Sequence, residues 1–108
     1  MSGAALEPLV YGYVRVEENA PPGAVRRLED ELRALVESRG MCFGATFYDV
    51  VPGQRGGLRE LTEELRRSES RLVVVPTLDH LSRHPGVRAE LLNQLRDEAR
   101  ATVVPLAA

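Results

Sequence analysis

The sequence predicts an α/β fold, a three-layer arrangement in which a parallel sheet of about four strands carries helices on both faces. Three observations lead there. Strand-like and helix-like stretches alternate in the order β-α-β-α-β-turn-α-β. The run Arg71-Leu-Val-Val-Val-Pro76 is short and continuously apolar, the pattern of a strand buried on both faces, and is expected at the centre of the sheet. Glycine- and proline-bearing breakers punctuate the chain between the first elements.

The elements follow in order. Leu9 to Val16 is rich in β-branched and aromatic residues and reads as the first strand. Asn19-Ala-Pro-Pro-Gly23 breaks it. Val25, Leu28, Leu32, Leu35 and Val36 then recur at helical spacing, and Arg39-Gly40 is a C-cap signal. Met41 to Val51 reads as the second strand and Pro52 to Gly57 as a glycine-rich loop. Leu58, Leu61 and Leu65 mark the second helix. After the third strand, Leu78 to Arg83 forms a turn. Val87, Leu91, Leu92 and Leu95 mark a third helix with Pro85 in its first turn, and Thr102 to Leu106 reads as the last strand.

At 108 residues the chain is expected to form a single domain over 1–108. No apolar run reaches the length of a membrane span, and the first residues lack the basic and apolar regions of a secretory signal. Cys42 is the only cysteine, so no internal disulfide can form. Its apolar surroundings predict a core filler. A cytoplasmic location fits these features. The net charge is -2, from 14 basic and 16 acidic side chains, and every basic one is arginine. That balance argues against strong autonomous DNA binding.

In a parallel sheet ligands bind beyond the carboxyl ends of the strands. The loops there are Glu17–Gly23, Val51–Gly57 and Thr77–His84, and Arg15, Arg55 and Arg83 fall at or beside them. Arginines converging on one rim suit an anion or phosphate; standing apart, they are ordinary solvated charges.

Three motifs bear on that choice. Tyr13-Val-Arg-Val16 ends the first strand, Arg55-Gly-Gly-Leu58 opens the second helix, and Leu78-Asp-His-Leu-Ser-Arg83 follows the third strand. In this order and spacing, and over nearly the whole chain from Val10 to Leu106, they resemble the N-terminal catalytic domain of serine recombinases, the resolvase/invertase family. The resemblance implies a resolvase-like fold and an activity in which a serine hydroxyl attacks a DNA phosphodiester while fixed guanidinium groups stabilise the phosphorus centre. It places Arg15, Arg55, Asp79 and Arg83 at matching site positions.

The chain departs from that pattern at several points. Glu17 stands where the family keeps its serine, and a carboxylate repels the phosphate it has to approach. His80 replaces the arginine of the family's Asp-Arg pair, and Gly56 replaces a proline. The family's long dimerisation helix and DNA-binding domain would follow Ala108, so neither is expected within these residues. Ser82 reads as a structural turn serine, and Glu17 and Glu18 point to opposite faces of a strand. His80 and His84 share a spacing that could hold a metal ion, but no third ligand is evident, so neither a metal nor another cofactor is expected.

Two functions follow. The first is a catalytically inactive serine-recombinase-like domain, a pseudoenzyme acting by protein binding or by regulating DNA recombination. The alternative is a divergent active recombinase or phosphoryl-transfer enzyme with another nucleophile. The partners expected are a second copy, through Leu91, Leu92 and Leu95 of the last helix, or another recombinase-family protein. DNA binding is expected to be weak and no membrane association is expected. Glu17 is expected to lie among Arg15, Arg55 and Arg83, in the space of a scissile phosphate.

Overall fold

In the computed structural model, which describes residues 8–51 and 56–106, four strands form one parallel sheet. The elements are β1 (Leu9–Glu17), α1 (Ala24–Ser38), β2 (Cys42–Val51), α2 (Gly56–Ser68), β3 (Leu72–Val75), α3 (Pro85–Ala99) and β4 (Thr102–Pro105). A single 3-10 turn, Leu78–His80, lies between β3 and α3. Each element stands within a few residues of its sequence-predicted range. The sheet order is β2-β1-β3-β4, so β3 lies inside, as its apolar run predicts.

That order follows from the chain direction. Parallel neighbours need a crossover helix, and the chain winds outward from the centre in both directions: β1 to β2 on one side, β3 to β4 on the other. The reversal falls between β1 and β3, and a crevice opens beyond their carboxyl ends.

Alternation along β1 divides the core between the two faces. Val10 and Val14 join Leu32, Val36, Phe43 and Val74 under α1. Tyr11 and Tyr13 join Leu58, Leu61, Leu65, Val73, Val75 and Leu95 under α2 and α3. Between these layers β2 carries a bulge: Val10 pairs with Phe43 but Gly12 pairs with Thr46. One extra residue reverses the side-chain alternation. Phe43 therefore packs under α1, whereas Phe47 packs edge-on against Tyr11 on the opposite face, with ring centroids 5.8 Å apart. The bulge contains Gly44, where a Cβ would lie 2.6 Å from the Tyr11 ring.

Two expectations about apolar residues are corrected. Cys42 is exposed, because it opens an edge strand ahead of the bulge instead of facing a helix. Leu91 and Leu92 are half-buried against the α2/α3 core and Leu95 is buried, so these leucines are largely consumed by their own domain. Among the described residues the large exposed hydrophobics are Tyr48, Val50, Val87 and Val104. No helix among them is long and apolar enough to cross a membrane.

The junction of β1, β2 and α2 is held by Asp49. Its carboxylate is buried and accepts the Tyr13 hydroxyl at 2.6 Å, the Gly57 amide at 2.8 Å and the Leu58 amide at 3.1 Å. Two donors of the first turn of α2, which lack intrahelical acceptors, are satisfied by a side chain from another element. The helix end approaches β2 so closely that a Cβ on Gly57 would stand 2.1 Å from the Tyr48 carbonyl oxygen. Farther along α2, Glu64 accepts the Tyr11 hydroxyl at 2.6 Å and pairs with Arg67. Hydrogen bonds from Arg67 and then Tyr11 hold the Glu64 carboxyl down to about 2.

Replacing Asp49 with alanine leaves a buried hydroxyl and two helix-end amides without their acceptor. A loss of about 3 kcal/mol is expected, given about 1–3 kcal/mol for an unsatisfied buried group and partial relaxation. Urea denaturation followed by circular dichroism checks it; a loss below about 1 kcal/mol contradicts the assigned role.

Candidate functional site

The crevice at the carboxyl ends of β1 and β3 is an open cleft of about 510 Å³. Arg15, Val16 and Glu17 line it from β1 and Val51 from β2. Thr77, Asp79, His80, Ser82, Arg83 and His84 line it from the segment after β3. Five of the six sequence-predicted site residues therefore meet at one place, because both motif-bearing segments leave the sheet at the reversal of strand order. The sixth, Arg55, lies outside the described residues.

Arg15 is half-buried near the end of β1. Its backbone amide donates to His80 Nδ1 at 2.9 Å, and its Nη1 makes a long 3.5 Å contact to the Leu81 carbonyl. Its Nε is buried and meets no acceptor among the described residues. The guanidinium is thus fixed by packing and the turn backbone.

Glu17, at the end of β1, places a carboxylate oxygen 3.7 Å from Arg83 Nη2. The two side chains are 66% and 84% exposed, so the pair sits on the rim in solvent. This corrects the expected three-arginine cluster in part. Arg83 does reach the carboxylate, but Arg15, two residues back on the strand, turns to Leu81.

Asp79 is exposed and accepts Arg88 Nη1 at 2.9 Å. Arg88 lies one turn into α3. The sequence reading missed it because it belongs to none of the motifs. Asp49 was also missed, although a lone carboxylate inside an apolar strand was the available signal. Ser82 is buried, and its hydroxyl accepts the His84 amide at 3.1 Å, as expected of a turn serine. His84 in turn caps α3 by accepting the Val87 amide at 3.3 Å. Among the described residues no group of three or more His, Cys, Asp or Glu side chains is placed to hold a metal ion.

His80 does most to join the two segments of the cleft. Because Nδ1 accepts the Arg15 amide, the ring proton sits on Nε2 and the ring is neutral. Burial lowers its pKa below the ordinary 6.5 and outweighs the Asp79 carboxylate, while Arg15 and Arg83 push it down further.

The arrangement can present positive charge to an anion, with Arg15 half-buried and Arg83 exposed on the rim. A carboxylate already stands at its mouth.

Comparison with known proteins agrees with this fold. A family model described as Resolvase, N terminal domain, matches residues 10–107. The fold is similar to the C-terminal catalytic domain of ISC1926 TnpA, an IS607-like serine recombinase, with a TM-score of 0.76 at 16% identity, covering 93% of this chain and 70% of that one. It is similar to the N-terminal catalytic domain of TP901-1 integrase, with a TM-score of 0.74 at 20% identity, covering 91% and 76%. A third likeness is to the C-terminal catalytic domain of IS1535 TnpA, another IS607-like serine recombinase, with a TM-score of 0.68 at 23% identity, covering 89% and 69%. At these identities the likeness is one of fold. No curated protein matches the chain.

The His80 contact carries a pH dependence. A histidine whose folded pKa is depressed contributes stability that is fully present above its unfolded value of 6.5 and is lost as pH falls through the folded value. Between about pH 7.5 and about pH 5, the wild type is expected to lose more stability than a His80→Gln variant, which cannot gain the proton. Urea denaturation of both proteins across that window measures the difference; parallel losses contradict the role given to His80.

Proposed function

Because the chain belongs to the family of resolvase N-terminal domains, we propose that it is a catalytically inactive serine-recombinase-like domain that acts through protein binding in the regulation of DNA recombination. One observation carries this reading. Glu17 stands at the end of β1, where the resemblance puts the nucleophilic hydroxyl, and its carboxylate lies 3.7 Å from Arg83.

The chemistry supports inactivity. Attack on a phosphodiester needs a nucleophile that can approach an anion. A carboxylate repels the phosphate and gives a labile acyl phosphate if it reacts. Arg83 is engaged by that carboxylate and Asp79 by Arg88, so two charged positions carried over by the resemblance are neutralised in place. The neutral His80 ring replaces the second arginine of that pattern. Ser82, which also lines the cleft, is buried, and its hydroxyl oxygen accepts the His84 amide as a turn serine does. With a net charge of -2, autonomous DNA binding is weak and non-specific on this reading.

The test is a phosphate titration of the wild type and the Glu17→Ser variant, read by thermal denaturation. Removing an exposed pair of this kind costs less than about 1 kcal/mol, so the variant stays folded. The expected result is marked stabilisation of the variant by inorganic phosphate and little of the wild type. Equal stabilisation of both overturns the reading that Glu17 closes the site.

A further inference from the structure

On the face opposite the Asp49 junction, between the outer strand β2 and the start of α1, lies a second groove of about 680 Å³. Tyr48 and Val50 form its outer wall. Tyr48 is 52% exposed and Val50 42%, the two most exposed large hydrophobics among the described residues. The reversal of alternation at the Gly44 bulge turns both toward the α1 side. There α1 begins only at Ala24 and leaves them uncovered.

The sheet ends in two unlike edges. β4 is four residues long and closes on Pro105, so it is blunted against pairing. β2 is ten residues long, and its Thr46–Val51 stretch holds no proline, lysine or arginine. The one charge of that stretch, Asp49, points inward. The Glu18 amide donates to the Val51 carbonyl at 2.9 Å, so the Val51 backbone faces β1. Backbone groups alternate sides along a strand. The amides and carbonyls of Thr46, Tyr48 and Val50 therefore face outward, where among the described residues no strand meets them.

The charges around the groove cancel. Glu17 pairs with Arg83 at 3.7 Å and Glu29 with Arg33 at 3.9 Å. Glu18 and Arg26 remain on the rim, one of each sign. Such a rim draws neither a polyanion nor a basic chain. It does suit its own likeness, because a surface that meets itself across a twofold axis has to be self-complementary.

We infer that the occupant is a second copy of this chain, bound edge to edge with the two β2 strands antiparallel, so that the two sheets join across a twofold axis. The backbone sets the register. With the axis at Tyr48, that residue pairs with its own counterpart, and Thr46 pairs with the counterpart of Val50. Every outward amide and carbonyl of these residues is then satisfied. An axis at Asp49 would set two carboxylate-bearing residues directly opposite each other, and one at Phe47 would draw Gly44 of the bulge into the ladder. Residues directly opposite share a face. Tyr48 and Val50 of both copies therefore meet on the α1 side, in the space that each late-starting α1 leaves open. The two candidate clefts open at opposite ends of the joined sheet. This inference goes beyond the reading of the candidate site and does not depend on it, since its test involves no phosphate.

Sedimentation of the full chain at micromolar concentrations is expected to show a reversible dimer. Tyr48→Lys sets two like charges opposite each other and is expected to weaken association about tenfold. Tyr48→Phe keeps the ring and is expected to retain the dimer. Tyr48 faces solvent in the single chain, so unchanged thermal melting confirms that both variants fold. A second measurement reads the register. In a Cys42→Ser background, Tyr48→Cys is expected to form an intermolecular disulfide under mild oxidation. Opposed hydrogen-bonded residues stand about 5.5 Å apart between Cα atoms, within disulfide reach. Val104→Cys in the same background, on the β4 edge, is expected to remain a free thiol. A dimer unaffected by Tyr48→Lys, or equal cross-linking at the two positions, overturns the proposal. A chain that stays monomeric overturns it in favour of an occupant other than a second copy.

Discussion

The fold turns on one buried carboxylate. Asp49 sits third from the end of the ten-residue strand β2 and collects donors from a tyrosine of the central strand and from the opening amides of α2. Burying a charge in such a place is costly unless it is fully hydrogen-bonded. Satisfying it fixes three elements at once: the height of β2 against β1, the start of α2, and the approach of the helix end to the Tyr48 carbonyl that leaves no room for a side chain at Gly57.

From that junction the two faces of β2 acquire different fates. Its inward-facing Phe47 and Asp49 belong to the α2 layer, and its Tyr48 and Val50 are turned to a side where the covering helix starts too late. A single extra residue at Gly44 produces this division. Two aromatic residues four apart, Phe43 and Phe47, then serve opposite cores although simple alternation would put them together.

The rim of the candidate site shows how charge is managed when a fold gathers cations in one crevice. Arg15 is held by packing and by the turn that carries His80 and Leu81. Arg83 pairs with Glu17 in solvent, and Asp79 with the half-buried Arg88. Both ion pairs are partly or wholly in solvent, where they contribute little stability. Their effect is local: among the described residues Arg83 and Asp79 have charged partners, whereas Arg15 meets a backbone carbonyl. This is why the proposed inactivity depends on a rim carboxylate and not on the loss of the fold that positions the site.

Much of this protein was determined by sequence alone. The alternation of strand and helix patterns set the layer architecture, the Leu72–Val75 run set the inner strand, and the first and third motifs set two segments that share a rim, because periodicity and breakers act over a few residues. Site residues within those motifs were legible for the same reason, and Arg15, Glu17, Asp79, His80 and Arg83 do line one cleft. What only the tertiary structure decided involves residues far apart in the chain. Cys42 lies in an apolar run yet is exposed, since edge position depends on strand order. Leu91, Leu92 and Leu95 are consumed by the core, since how much surface a sheet and its helices bury depends on how they pack. Arg88 reaches Asp79 and Asp49 caps α2 across gaps that no local pattern encodes. Arg15 turns away from Glu17 toward Leu81, because the direction of a side chain is set by its neighbours in space and not by its neighbours in sequence.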